Sequence, residues 1–64
     1  MSRKYAEYHI TKIEEMVMTY INGNRSDFKQ WLKKTKRSNI PLVIDALNSM
    51  NEDGVDVVYR YLTT

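Results

Sequence analysis

The sequence predicts an all-α fold, a small bundle of three to four short helices formed by residues 1–64 as one domain. Three observations carry that expectation. Residues 3–21 repeat apolar side chains at helical spacing, and residues 40–50 are apolar around too much of the circumference for a helix lying on one flat surface. No two segments offer matching strands.

In residues 3–21, Ala6, Ile10, Ile13, Val17 and Tyr20 recur at intervals of four, three, four and three, which makes one apolar stripe on a helix. Tyr5, His9, Met16 and Ile21 widen the stripe, whereas Glu7, Thr11, Lys12, Glu14 and Glu15 fall on the other side. Asn22-Gly23-Asn24 ends it, with a glycine suited to the left-handed conformation that follows a helix. The spacing also suits a coiled-coil seam, but fewer than about three heptads support one.

A second helix starts with Asn24 or Ser26 as its cap, carries Asp27 in the first turn, and runs to Lys36. Phe28, Trp31, Leu32 and Thr35 form its apolar face. After Arg37-Ser38-Asn39, Pro41 fits only the opening turn of a third helix, where no internal donor is missed. That helix, residues 40–50, is the most apolar stretch of the chain. Ile40, Leu42, Val43, Ile44, Ala46, Leu47 and Met50 cover roughly 200° of its circumference, so cover from two sides is expected, by the other helices or by a second copy.

Asn51-Glu52-Asp53-Gly54 reads as a turn with Asn51 as a cap. In residues 55–62 period and composition disagree. Val55, Val58, Tyr59 and Leu62 fit a helix, while the β-branched and aromatic content favours a strand. Helix is preferred, because a lone strand leaves its backbone groups unpaired; the alternative strand needs a partner chain.

A chain of 64 residues without cysteine has neither disulfides nor thiolate chemistry to support a small core. Self-association, most simply a homodimer, is therefore expected. The first residues lack the apolar run of a secretory signal and nothing approaches a membrane span, so a cytoplasmic protein without membrane contact is expected. The Asn24-Arg25-Ser26 sequon is then accidental.

Chemistry-bearing constellations are scarce. His9 is the single histidine and has no acidic or thiolate partner at metal-ligand spacing, so no metal or cofactor is expected. Adjacent Glu14 and Glu15 point about 100° apart on a helix, which disfavours an acid-base pair. Neither glycine lies in a phosphate-cradling loop, and no serine or threonine has a histidine in its segment. A non-enzymatic protein is the expectation.

Charge is polarised beneath a formal net of +2. Residues 25–37 hold six cations against Asp27, and residues 38–64 hold four acids against Arg60. On a continuous wheel Arg25, Lys29, Lys33, Lys36 and Arg37 form one basic stripe, a candidate phosphate-binding face. A solvated helix face accounts for the same pattern. A helix-turn-helix does not fit, because the segment after the turn offers Ile40, Leu42, Val43, Ile44 and Asp45 where base-reading polar side chains belong.

Five tyrosines and four methionines are many for this length. Tyr8, Met18 and Tyr61 fall off the apolar stripes and, with Leu42 and Ala46 on the surplus face of residues 40–50, are candidates for a protein interface. The leading expectation is a helical binding module, an accessory or regulatory protein acting through protein-protein contacts. The alternative is a nucleic-acid-binding protein of low sequence specificity that uses the basic second helix.

Overall fold

The computed structural model describes residues 2–63, with side chains from Ile10 onward. Four helices account for most of it: α1 (Ser2–Ile21), α2 (Arg25–Lys34), α3 (Ile40–Ser49) and α4 (Gly54–Leu62), with a 3₁₀ turn at Arg37–Asn39 leading into α3. No strand occurs among the described residues, so the alternative strand for residues 55–62 gives way to α4. The helices pack in a cycle in which α1 and α4 each touch both α2 and α3.

Local chemistry sets each boundary. At the end of α1, Gly23 (φ 103°) takes the left-handed conformation, and the Asn24 and Gly23 amides donate to the carbonyls of Thr19 and Tyr20 at 3.0 Å. This paired closure satisfies carbonyls that the helix leaves open. Residue Asn24 caps α2 as expected, its Oδ1 accepting from the Asp27 amide at 3.2 Å while its Nδ2 donates to Asp27 Oδ2 at 2.9 Å. Pro41 stands in the opening turn of α3.

Residue Asn51 departs from expectation. It does not cap α4; it adopts φ 63° and closes α3, with the Glu52 amide donating to the Leu47 carbonyl at 3.0 Å and its own amide to Asn48 at 3.1 Å. The α4 cap is Asp53, whose Oδ1 accepts from the Asp56 amide at 3.3 Å. Asn48 adds a second tie across the corner: its Oδ1 accepts from the Gly54 amide at 2.8 Å.

The core draws on all four helices. Phe28, Leu32, Val43 and Leu47 are fully enclosed, with Ile13, Met16, Val17, Tyr20, Val57 and Val58 around them. Burying one such side chain completely contributes about 1.5–3 kcal/mol. Tyr20, Phe28 and Tyr61 form an aromatic cluster, with the Tyr61 ring 5.9 Å from each of the other two and close to edge-on.

Two stripes are rotated from those expected. In α1 the expected Ile13, Val17 and Tyr20 are buried together with Met16, from the widened edge of the stripe, but Ile10 is 48% exposed, so the buried side is turned toward Met16. In α4 the inward face is Gly54, Val57, Val58 and Tyr61, while Val55, Tyr59 and Leu62 are exposed. The prominent run in α3 is covered from two sides, by α1 and α4, as its width requires. That cover is incomplete. Ile40, Ile44 and Ala46 pack against the core, but Leu42 and Met50 remain 42% and 41% exposed.

Candidate binding surfaces

An apolar face is assembled from α1 and α3. Glu14, Val17 and Met18 of α1 and Ala46, Ser49 and Met50 of α3 line a groove of about 190 Å³ between the two helices. The small side chain of Ala46 leaves the hollow, and Met18 and Met50 flank it with flexible thioethers that adapt to many shapes. Leu42, one turn before Ala46 and on the same side of α3, continues the strip. Three of the expected interface residues, Met18, Leu42 and Ala46, thus belong to one face.

Tyr61 does not. Expected at a surface, it is half-buried and packs its ring against Tyr20 and Phe28, because α4 turns the Val57, Val58 and Tyr61 side toward the core. The exposed tyrosine of α4 is Tyr59, 68% accessible. The side chains of Tyr8 and His9 lie outside the described residues.

The expected basic stripe is broken. It requires a helix continuous to Arg37, but α2 ends at Lys34, with Thr35 extended at ψ 137° and its Oγ1 donating to the Trp31 carbonyl at 2.8 Å. Arg25, Lys29 and Lys33 retain the spacing of one face, whereas Lys36 and Arg37 leave it and diverge. Lys36 borders a groove with Lys12, Trp31 and Lys34, while Arg37 borders another with Ile40, Pro41, Tyr59 and Leu62. Arg25 is partly engaged, its guanidinium 5.6 Å from the centre of the Tyr20 ring.

The basic segment nevertheless stays unneutralised. Among the described residues the ion pairs are Lys12–Glu15 at 3.5 Å and Arg60–Asp56 at 2.7 Å, and neither involves a cation of residues 25–37. Asp27, the one acid in that segment, is held by Asn24. The cluster of Lys12, Lys34 and Lys36 beside Trp31 escaped the sequence pattern because its members come from two helices and a turn. One signal was present: Lys34 follows Trp31 by three residues and so shares its flank of α2.

Burial raises the pKa of the Tyr20 hydroxyl above its ordinary value; Tyr61 and Glu52 add to the shift, and Arg25 and Arg60 oppose it. No grouping of three or more histidine or acidic side chains suited to a metal ion occurs among the described residues. None of the described helices is long and apolar enough to cross a membrane. Comparison of the chain with protein-family models, with curated proteins and with solved structures gives no match in any of the three.

Proposed function

We propose that this protein is a non-enzymatic helical binding module, an accessory or regulatory protein that acts through protein-protein contacts on its α1/α3 face. The observation that carries the reading is the strip formed by Met18, Leu42, Ala46 and Met50, apolar side chains that the chain's own packing leaves partly uncovered. A second copy of the chain is the proposed first occupant. A 64-residue domain with a small core gains stability by burying such a strip against itself. Methionine and leucine beside a shallow groove also suit an amphipathic helix of a different protein.

Sedimentation over a micromolar concentration range tests this, with the natural chain compared with Met18→Lys and Leu42→Lys. A dimer that becomes a monomer in both variants, with helical content unchanged, is the expected result. A chain that stays monomeric at every concentration, and that retains the same proteins from a lysate as its variants, overturns the reading.

A second reading, low-specificity nucleic-acid binding, is favoured by the six cations of residues 25–37 that form no ion pair among the described residues. Such charges release counterions from a phosphate backbone, and binding through them weakens steeply with salt.

A further inference from the structure

Trp31 stands half-buried on the flank of α2 that faces α1, its ring 5.9 Å from that of Phe28. It lines two adjoining grooves. One, of about 490 Å³, is bordered by Glu15 and Asp27 as well as Lys12 and Lys34. The other, of about 290 Å³, is bordered by Lys12, Lys34 and Lys36 with Asn39, and no carboxylate lines it. The tryptophan therefore marks the border between a surface with both charge signs and an apolar groove whose only charged lining residues are lysines. Within the second groove, three lysines line the walls beside the indole, and Asn39 contributes a polar side chain. Lys34 and Lys36 have no ion pair among the described residues, whereas Lys12 is paired at the surface with Glu15 at 3.5 Å.

That combination matches one ligand chemistry. Cations that follow a phosphate backbone, together with an aromatic ring on which a base stacks, are the parts used by proteins that hold single strands. In a duplex the bases are already stacked and offer an indole nothing, and this groove is a concavity between helices, not a helix that protrudes into a major groove. We propose that the groove between α1 and the end of α2 binds single-stranded nucleic acid, with phosphates on Lys12, Lys34 and Lys36 and a base against Trp31. The inference rests on the nucleic-acid reading given above and relocates its site from the Arg25, Lys29, Lys33 face to the opposite flank of α2. None of those three residues lines either groove.

The chain's single tryptophan makes the test direct. Oligo(dT) and oligo(U) are titrated into the full chain while the tryptophan emission and the anisotropy of a labelled strand are followed. Quenching of the emission is expected. Three phosphate contacts on a single strand give a salt slope of about −2, so a tenfold rise in salt lowers affinity about a hundredfold.

The double variant Lys34→Glu/Lys36→Glu is expected to lose at least tenfold more affinity than Lys29→Glu/Lys33→Glu, which changes the net charge by the same amount. Trp31→Phe retains a ring for packing, and binding to it, read by anisotropy, is expected to weaken only a few-fold. Equal losses in the two double variants, or a greater loss from Lys29 and Lys33, overturn the groove while leaving the nucleic-acid reading intact. Absence of binding to every strand at low salt overturns both. Tighter binding to duplex than to single strand, or equal binding to base-free polyphosphate, also overturns the groove.

Discussion

Replacing Gly54 by alanine tests the corner at which α4 is laid against α3. Gly54 is buried as the first residue of α4, and its amide donates to Asn48 Oδ1 at 2.8 Å. A Cβ added there would run into the Ile44 carbonyl oxygen, and would lie 2.9 Å from Asn48 Oδ1 and 3.0 Å from the Ile44 carbonyl carbon. The first of these contacts is with backbone, so no side-chain rotation relieves it, and α4 must back away from α3. On an exposed helix the same change is favourable by about 0.4–1 kcal/mol, through helix propensity and a less flexible unfolded chain. Against that stand overpacking, at about 1–3 kcal/mol, and a weakened Asn48 bond, at about 1 kcal/mol. The net is a loss of about 2 kcal/mol. For a domain of this size that lowers Tm by about 8–16 °C. Thermal melts followed by circular dichroism, with urea titration as a second probe, give the answer. Asn48→Ala provides the comparison, since it removes the hydrogen bond without the clash and should cost about 1 kcal/mol. A Gly54→Ala protein that melts at or above the natural temperature refutes the close approach of α3 and α4, and with it the inward face assigned to α4.

The rotation of α4 makes a second prediction: Tyr61→Ala should cost about 3 kcal/mol by opening the aromatic cluster, and Tyr59→Ala less than about 0.5 kcal/mol, as read by urea midpoints. Residue Asn51, at φ 63°, should accept glycine with a stability gain of a few tenths of a kcal/mol, about 0.5, whereas Gly23→Ala at φ 103° should lose about 1 kcal/mol or more in the same melts. The raised pKa of Tyr20 means that the folded state favours the protonated phenol. Its contribution is fully present below the unfolded value near pH 10 and is lost as pH rises through the higher folded value. Tyr20→Phe should therefore lose less stability than the natural chain as pH rises above about 10, the difference between the two urea series cancelling the other tyrosines and lysines.

The helices were legible in the sequence because their boundaries are set by local chemistry. Gly23 after α1, Asn24 before α2 and Pro41 in the opening turn of α3 each act within a few residues of their own position. Which face of each helix turned inward was less legible, and α4 shows why. Val55, Val57, Val58, Tyr59, Tyr61 and Leu62 surround most of its circumference, so spacing alone accepts either Val55, Val58, Tyr59 and Leu62 or Val57, Val58 and Tyr61 as the buried set. The deciding contact is made by a residue with no side chain. Gly54 must face α3, because only a glycine fits against the Ile44 carbonyl, and a helix with Gly54 inward carries Val57, Val58 and Tyr61 inward with it.

The same physics explains the binding surfaces. The basic stripe was drawn on a wheel that assumed helix through Arg37, and it fails one turn early because the Thr35 hydroxyl bonds back to the Trp31 carbonyl while residues 35 and 36 are extended. Past that point Lys36 and Arg37 are positioned by the turn into α3, so their neighbours are set by tertiary packing that no wheel contains. Lys36 consequently joins Lys12, which a wheel of α1 assigns to plain solvent, and the two meet beside Trp31. The apolar strip of α3 was more legible, because an excess of apolar circumference is a property of one segment. Two neighbouring helices cannot enclose a helix that is apolar over more than half its girth, and Leu42 and Met50 are what they leave uncovered, the strip on which the proposed contact is placed.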